Sequence, residues 1–443
     1  MQTIFVTAPA SKSLSHRALI CAALSSSRSV IENVLASDDL TRTREGLAAL
    51  GAQFCLSNNA IIVQGVPTRD LHSPMVDLFV GESGTTCRLL TGVLAAFSGT
   101  FRLHGAGRMH ERPMTALVQA LDRWGVSFTF EEKQGFLPLV AHSPGTLGQT
   151  IGIDISESSQ FLSALLLAAP CAPNPVTINL IGSQVVSWPY VALTLQVMED
   201  FGVHDDVQTR TGHQWESVDW RLLRAVSPES VRFLVEPQQY VMNQNYQVEG
   251  DWSNASYFLA AGAIGSSPIH VSGLRPDSMQ GDRAILDILK TMGAHAVWDA
   301  NGCTVFPSSL TGTRVDMSFC PDIVPTVATA ACFASGPTEI HGVAHLRFKE
   351  SDRLEAVASQ LRLAGHNVEV LDDGLIIHPR PMSPEKPLAL SSFSDHRIAM
   401  SLSLLGCRGQ KIVFDDPGCV SKSFPDFWDL WAKVPKDTAY SLS

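Results

Sequence analysis

One junction recurs along this chain: an amphipathic helix runs out, a glycine follows, and a strand begins. It stands in LAALGAQFCL around Gly51, LDRWGVSFTF around Gly125, MEDFGVHDDV around Gly202, LKTMGAHAVW around Gly293 and LRLAGHNVEV around Gly365. Glycine takes the left-handed conformation just past a last helical turn without steric cost, so each junction is read as a helix C-cap that hands the chain to a strand. The glycines are 74, 77, 91 and 72 residues apart, which predicts one α+β unit used repeatedly. These periods exceed those of solenoids, so the units are expected to build compact domains. With a first unit in the N-terminal third and FPDFWDLWAKV as a truncated last helix, six repeats fit.

A chain of 443 residues outgrows a single core, and two domains of roughly 200 residues each are expected. The Asn- and Gln-rich loop EPQQYVMNQNYQVEGDWSNAS from Glu236 is the candidate junction between them. Charged residues make up 17% of the chain, below the usual ~25%, so the places where its basic residues gather carry information. The opening MQTIFVTAPASKS has neither the basic nor the long apolar region of a secretory signal. The apolar stretch FLSALLLAAPCAP is broken by proline and falls far short of the ~20 residues that span a bilayer. A soluble cytoplasmic protein without a membrane partner is expected. Nine cysteines without a C-x-x-C pair predict neither a disulfide framework nor a metal site. A net charge of −11 with no long basic run argues against nucleic acid as a partner. The closing PKDTAYSLS reads as a frayed tail.

Basic and hydroxyl residues collect at predicted helix starts. PASKSLSHRA holds Lys12, His16 and Arg17 among Ser11, Ser13 and Ser15, where a helix is expected to begin near Ser13 with Ser11 or Ser13 as its cap. A helix N-terminus already presents free N–H groups, so cations there oppose the usual preference and make a receptor for phosphate or carboxylate. VGESGTTCRLL adds Gly81, Gly84, Thr85, Thr86 and Arg88; GRMHERPM adds Arg108 and Arg112; SESSQFLSALLL adds Ser156, Ser158, Ser159 and Gln160. In the second half, RFKESDRLEAV carries Lys349, Glu350, Asp352 and Arg353, FSDHRIAM carries Asp395, His396 and Arg397, and GCVSKSFPDF carries Lys422. Each alone fits a capped surface helix with paired charges. Together, in a charge-poor acidic chain, they favour one convergent anion-binding cleft. Glu350, and Asp322 in CPDIVPT, lie among these cations and can move protons between substrate oxygens and carbons. No G-x-S-x-G, Walker A or H-E-x-x-H motif is present. The residues by themselves define a two-domain enzyme that handles at least two anionic groups.

Taken in order, SKSLSHRA, SGTTCR, RMHERP, SSQFL, SWPY, VEGDWSNASYFLAA, SMQGD, PDIVPTVATAA, FKESDRL, SDHRIAM and SKSFPDFW resemble the EPSP synthase family of enolpyruvyl transferases, and the matches run from residue 11 to about residue 428. The resemblance implies an α/β (α+β) fold of two domains, each of three βαβαββ units with helices inside and sheets outside. It places residues 11–249 in one domain and residues 1–10 with 250–443 in the other. It implies two small-molecule partners, shikimate 3-phosphate and phosphoenolpyruvate, no cofactor and no metal, and a monomer is expected. By motif matching, Lys12 would touch both substrates. Ser13, Arg17, Ser158, Ser159, Ser187, Tyr190, Asp322, His345 and Lys349 would serve shikimate 3-phosphate, with Gln160 reaching both ligands. Gly84, Arg112, Arg353, Arg397 and Lys422 would hold phosphoenolpyruvate, with Glu82, Thr85, Arg88 and His396 close by. The implied chemistry adds a proton from Glu350 to the methylene carbon of phosphoenolpyruvate. Asp322, assisted by Lys12, accepts the proton of the attacking 5-hydroxyl, and the tetrahedral ketal then loses phosphate.

Three positions depart from the family pattern: Glu82 stands where Asn is frequent, Leu89 where some members have Pro, and His345 where some have Asn. Two other readings are weighed. A UDP-N-acetylglucosamine enolpyruvyl transferase relies on a loop cysteine and lacks the Ser-Lys-Ser site, and Cys87 sits on a predicted helix as a core residue. A non-catalytic anion-binding relative is disfavoured by the presence of Lys12, Asp322, Lys349, Glu350 and Lys422.

Overall fold

All five junction glycines adopt the left-handed conformation, with φ between 77° and 104°, where an L-side chain costs ~1–2 kcal/mol. At the first, the Gly51 N–H donates to the Ala48 carbonyl at 2.9 Å and the Ala52 N–H to the Leu47 carbonyl at 3.1 Å. This pair of reversed bonds satisfies carbonyls that the helix end leaves open. It recurs at Gly125, Gly202, Gly293 and Gly365, each time with the next residue buried. The repeat seen in the sequence is therefore one structural device built five times.

The computed structural model describes residues 2–57, 59–66, 75–145, 148, 150–223, 226–242, 245–382 and 387–435. The expected tail beyond Pro435 and the middle of the Asn- and Gln-rich loop, residues 243–244, lie outside them. The chain divides into two units, one of Lys12–Val248 and one of Met1–Ser11 with Glu249–Ser443.

The Lys12–Val248 unit holds the helices α1 (Lys12–Leu24), α2 (Asp38–Ala49), α3 (Gly84–Val93), α4 (Thr115–Arg123), α5 (Gln160–Ala168) and α6 (Trp188–Asp200). Its three sheets share one plan, a first strand parallel to a second with the rest antiparallel. Val76–Phe79 pairs with Ser98–His104, and Thr150–Asp154 with Val176–Ile181. The third first strand, Tyr246–Gln247, comes from the far end of the unit and joins Arg28–Glu32.

The other unit holds α7 (Trp252–Ile264), α8 (Ala284–Thr291), α9 (Val324–Ala331), α10 (Arg353–Leu363), α11 (His396–Leu402) and α12 (Phe427–Trp431). Its parallel pairs are Ile4–Thr7 with Ile269–Ser272, Arg314–Asp316 with Thr338–His341, and Leu388–Leu390 with Ile412–Phe414. Among the described residues six parallel pairs thus mark six repeats, and the last contains the short helix expected from FPDFWDLWAKV.

Within each repeat the two helices differ. The second buries one face, as Leu117, Val118, Ala120 and Leu121 do in α4, which is the amphipathic pattern of a helix covered on one side. The first is buried all round: every residue of α7, α9 and α11, and all of α1, α3 and α5 except Lys12, Ser13, Thr85 and Gln160. These inner helices pack on one another within each unit while the sheets lie outside, and they account for the scarcity of charge. The four exceptions lie at helix N-termini and are all candidate site residues.

Candidate active site

In the Lys12–Val248 unit, side chains link the starts of five helices. The α1 helix begins at Lys12, as a cap at Ser11 requires, and the Lys12 Nζ lies 3.1 Å from Asp39 Oδ2 in the first turn of α2. Ser83 caps α3, its Oγ accepting from the Thr86 N–H at 3.2 Å. Arg88 on α3 donates to Gln160 Oε1 at 2.9 Å, and Gln160 returns a bond from Nε2 to Thr85 Oγ1 at 2.9 Å. That exchange fixes the start of α5 beside the start of α3. Arg112, buried, folds its guanidinium over Gly84 so closely that a Cβ on Gly84 would stand 2.5 Å from Nη1. The missing Cβ is what lets the guanidinium come this close to the start of α3.

Arg17 has turned inward. It is 1% exposed and donates to Thr194 Oγ1, the Ser13 and Tyr190 carbonyls and Ser163 Oγ. Burial brings its pKa down to about 10, against the pull of Tyr190, and it remains charged at neutral pH. Its position ties the half-buried Ser13 of α1 to the half-buried Tyr190 of α6. Ser187 caps α6 in a left-handed conformation (φ 54°), while Ser158 and Ser159 are buried at the entry to α5. Glu82 is exposed and its carboxylate lies against Gly107, where a glycine leaves room for it.

In the second unit, one guanidinium organises the charge. Arg353, the first residue of α10 and 2% exposed, donates from Nε to Asp395 at 2.9 Å, from Nη1 to Asp322 at 3.1 Å and from Nη2 to Glu350 at 2.8 Å. Arg397 at the start of α11 donates to the other oxygen of Asp322 at 2.9 Å, and the Lys422 Nζ stands 3.8 Å from Glu350. Three cations and three carboxylates converge where α9, α10 and α11 begin. Burial opposes the charge on Arg353, but Asp395, Glu350 and Asp322 outweigh it and hold its pKa above the usual range. A buried pair of this kind is costly to break, because one uncompensated charge then remains. His345, 4% exposed, is pushed down to about 3 by burial and by Lys349, and is neutral. Lys349 is half-buried, and His396 is buried at the start of α11 beside Asp395.

Two residues of these clusters received no role from the sequence. Asp395 reads as an ordinary N-cap, and it does accept from the Arg397 N–H at 3.0 Å; its other oxygen takes Arg353. Asp39 reads as one acid of the first turn of α2, a favourable place for any carboxylate. Neither signal names the distant cation. Cys87 is fully buried, burial raises its thiol to about 11, and its sulfur lies 3.9 Å from that of Met114; this is a core thiol.

Two units of inner helices under outer sheets, with anion-ready helix starts, define an enolpyruvyl transferase architecture. The same fold, with a TM-score of 0.73 over 99% of this chain and 95% of the other at 17% identity, is found in the enolpyruvyl transferase NikO from Streptomyces tendae. An EPSP synthase from Acinetobacter baumannii matches with a TM-score of 0.74 at 25% identity, covering 98% of this chain and 95% of its own. The model of the family described as EPSP synthase (3-phosphoshikimate 1-carboxyvinyltransferase) matches residues 3–218 and 224–431. Proteins named 3-phosphoshikimate 1-carboxyvinyltransferase from Marinomonas sp. (strain MWYL1) and Tolumonas auensis are 38% and 39% identical, covering 96% and 97% of this chain and 95% and 96% of theirs. The chain belongs to the EPSP synthase family. Among the described residues no helix is long and apolar enough to cross a membrane.

Proposed function

We propose that this protein transfers the enolpyruvyl group of phosphoenolpyruvate to the 5-hydroxyl of shikimate 3-phosphate and releases inorganic phosphate, as a cytoplasmic monomer. The observation that carries the reading is the Arg353 hub. One buried guanidinium holds both carboxylates expected to move protons, beside Arg397 and Lys422.

The reading assigns Lys12, Ser13, Ser158, Ser159, Gln160, Ser187, Tyr190, Asp322, His345 and Lys349 to shikimate 3-phosphate. Arg17 supports this set through the Ser13 and Tyr190 carbonyls. The Gly84 amide, Arg112, Arg353, Arg397 and Lys422 are assigned to phosphoenolpyruvate. Arg353, Arg397 and Lys422 pair with Asp322 and Glu350, so the phosphate and carboxylate of phosphoenolpyruvate compete for them. Winning that competition both anchors the substrate and releases the carboxylates for chemistry.

Glu350, which takes up a proton once phosphoenolpyruvate draws Arg353 and Lys422 from it, then gives that proton to the methylene carbon, which becomes a methyl group and leaves C2 electron-deficient. The 5-hydroxyl oxygen bonds to C2 and its proton passes to Asp322, with Lys12 stabilising the developing charge. In the resulting ketal the bond from C2 to the phosphate oxygen breaks, the phosphate leaves with the proton held by Asp322, and a methyl proton returns to Glu350 as the new double bond forms. Atoms balance without a cofactor.

The test is phosphate release on adding phosphoenolpyruvate with shikimate 3-phosphate and, separately, with UDP-N-acetylglucosamine, the product being identified by mass. Release with the first acceptor alone, with the enolpyruvyl ether as product, is expected. Release only with the second would overturn the assignment, and binding without release would make the chain an anion-binding relative.

A further inference from the structure

Beneath Lys12 runs a buried chain of polar groups that the reaction scheme does not use. Asp39, whose side chain is 6% exposed, holds Lys12. The Asp39 carbonyl accepts from Thr86 Oγ1 on α3 at 3.1 Å. Thr86 Oγ1 lies 2.8 Å from Thr43 Oγ1 on α2 and 2.7 Å from Ser83 Oγ, the cap of α3. Thr43 Oγ1 in turn lies 2.7 Å from His16 Nδ1 on α1. His16, Thr43 and Thr86 are 0% exposed and Ser83 is 1% exposed.

The proton order follows from the groups themselves. The Thr86 hydroxyl is the donor toward both the Asp39 carbonyl and Ser83 Oγ, which share its one proton, and its lone pairs are left for Thr43. Thr43 then donates to Thr86 and accepts from His16. His16 Nε2 is buried without a partner, and an orphaned N–H is harder to accommodate than an orphaned lone pair, which assigns the ring proton to Nδ1. Burial holds His16 neutral, its pKa lowered to about 3. The result is one directed chain, from His16 through Thr43 to Thr86 and on to the Asp39 carbonyl and Ser83 Oγ, that spans three helices.

We infer that Asp39 is a positioning residue for Lys12 and that the Thr86 hydroxyl, at the centre of the chain, sets where Asp39 and the Ser83–Gly84 helix start stand. The inference rests on the role of Lys12 proposed above. Both branches from Thr86 reach groups assigned to substrate, the Lys12 ammonium through Asp39 and the Gly84 helix start through Ser83. Hydrogen bonds along a buried polar chain have defined lengths and directions, so they fix such a geometry more tightly than apolar packing does.

The test combines Asp39→Asn, Thr86→Val, Thr86→Ser and Lys12→Met. The first readout, which needs no substrate, is the rate of reductive methylation of Lys12 followed by mass spectrometry. Asp39→Asn and Thr86→Val are expected to raise it several-fold, and Thr86→Ser to leave it within about twofold. The second is calorimetric affinity for shikimate 3-phosphate in a double-mutant cycle. Asp39→Asn is expected to weaken binding about tenfold alone and less than twofold in the Lys12→Met background. Unchanged methylation in Asp39→Asn, additive losses in the cycle, or equal damage from Thr86→Ser and Thr86→Val would each overturn the inference. Wild-type protein that shows the methylation pattern but binds no shikimate 3-phosphate would support the positioning and overturn the functional reading instead.

Discussion

Asp205 makes stability depend on pH in a way that can be worked out beforehand. It lies just ahead of the strand Asp206–Thr211, and both of its carboxylate oxygens are buried without a hydrogen-bond partner. Burial raises its pKa from 3.8 to about 8. Between those values the folded protein keeps a proton that the unfolded chain has released, so stability falls as pH rises and levels off above the folded pKa. The slope is at most ~1.4 kcal/mol per pH unit. From pH 6 to pH 9 the loss is roughly 2–3 kcal/mol, equivalent to about 4–10 °C in melting temperature for a unit of more than 200 residues. Asp205→Asn keeps the shape and removes the titration. Scanning calorimetry of both proteins at pH 6, 7, 8 and 9 isolates the effect, because every other group titrates alike in the pair. The variant is expected to gain on the wild type by that amount across the series. A difference in melting temperature that stays constant from pH 6 to pH 9 would refute the reasoning, since it would show the Asp205 carboxyl ionised throughout.

Three further outcomes concern the site. Gly84→Ala places a methyl 2.5 Å from Arg112 Nη1 and 3.4 Å from its Cζ, so the guanidinium must retreat by about 1 Å; steady-state kinetics are expected to show KM for phosphoenolpyruvate rising ~10-fold or more with shikimate 3-phosphate affinity nearly unchanged. Glu350→Gln is expected to cut turnover by ~10²-fold or more while calorimetric binding of shikimate 3-phosphate persists, and near-normal turnover would remove Glu350 from the mechanism. Cys87→Ser is expected to leave turnover within about twofold of wild type, as suits a core thiol; a loss of two orders of magnitude would point to cysteine acid catalysis.

The repeat was legible because the Gly51, Gly125, Gly202, Gly293 and Gly365 junctions depend on local geometry. A reversed helix end needs only a residue that tolerates positive φ, followed by one that can be buried, and both requirements lie within a few positions of each other. The helix starts that carry Lys12, Gly84, Gln160, Arg353 and Arg397 were legible for the same reason. The low charge content, which made the gathering places of basic residues informative, has its physical cause in the buried inner helices. Local pattern did not tell Arg17 from Lys12: both are cations in the first turns of α1, yet one turns into the core while the other stays near the surface beside Asp39.

Short-range chemistry thus determined the repeat, the helix starts and the family. Tertiary structure decided which charges meet: Lys12 with Asp39, 27 positions away, Arg397 with Asp322, 75 positions away, and Arg353 with three carboxylates at once. The physical reason is that an ion pair depends on distance and desolvation. Both are properties of where the packed helices place their ends, and neither is encoded in the few residues around any one charge.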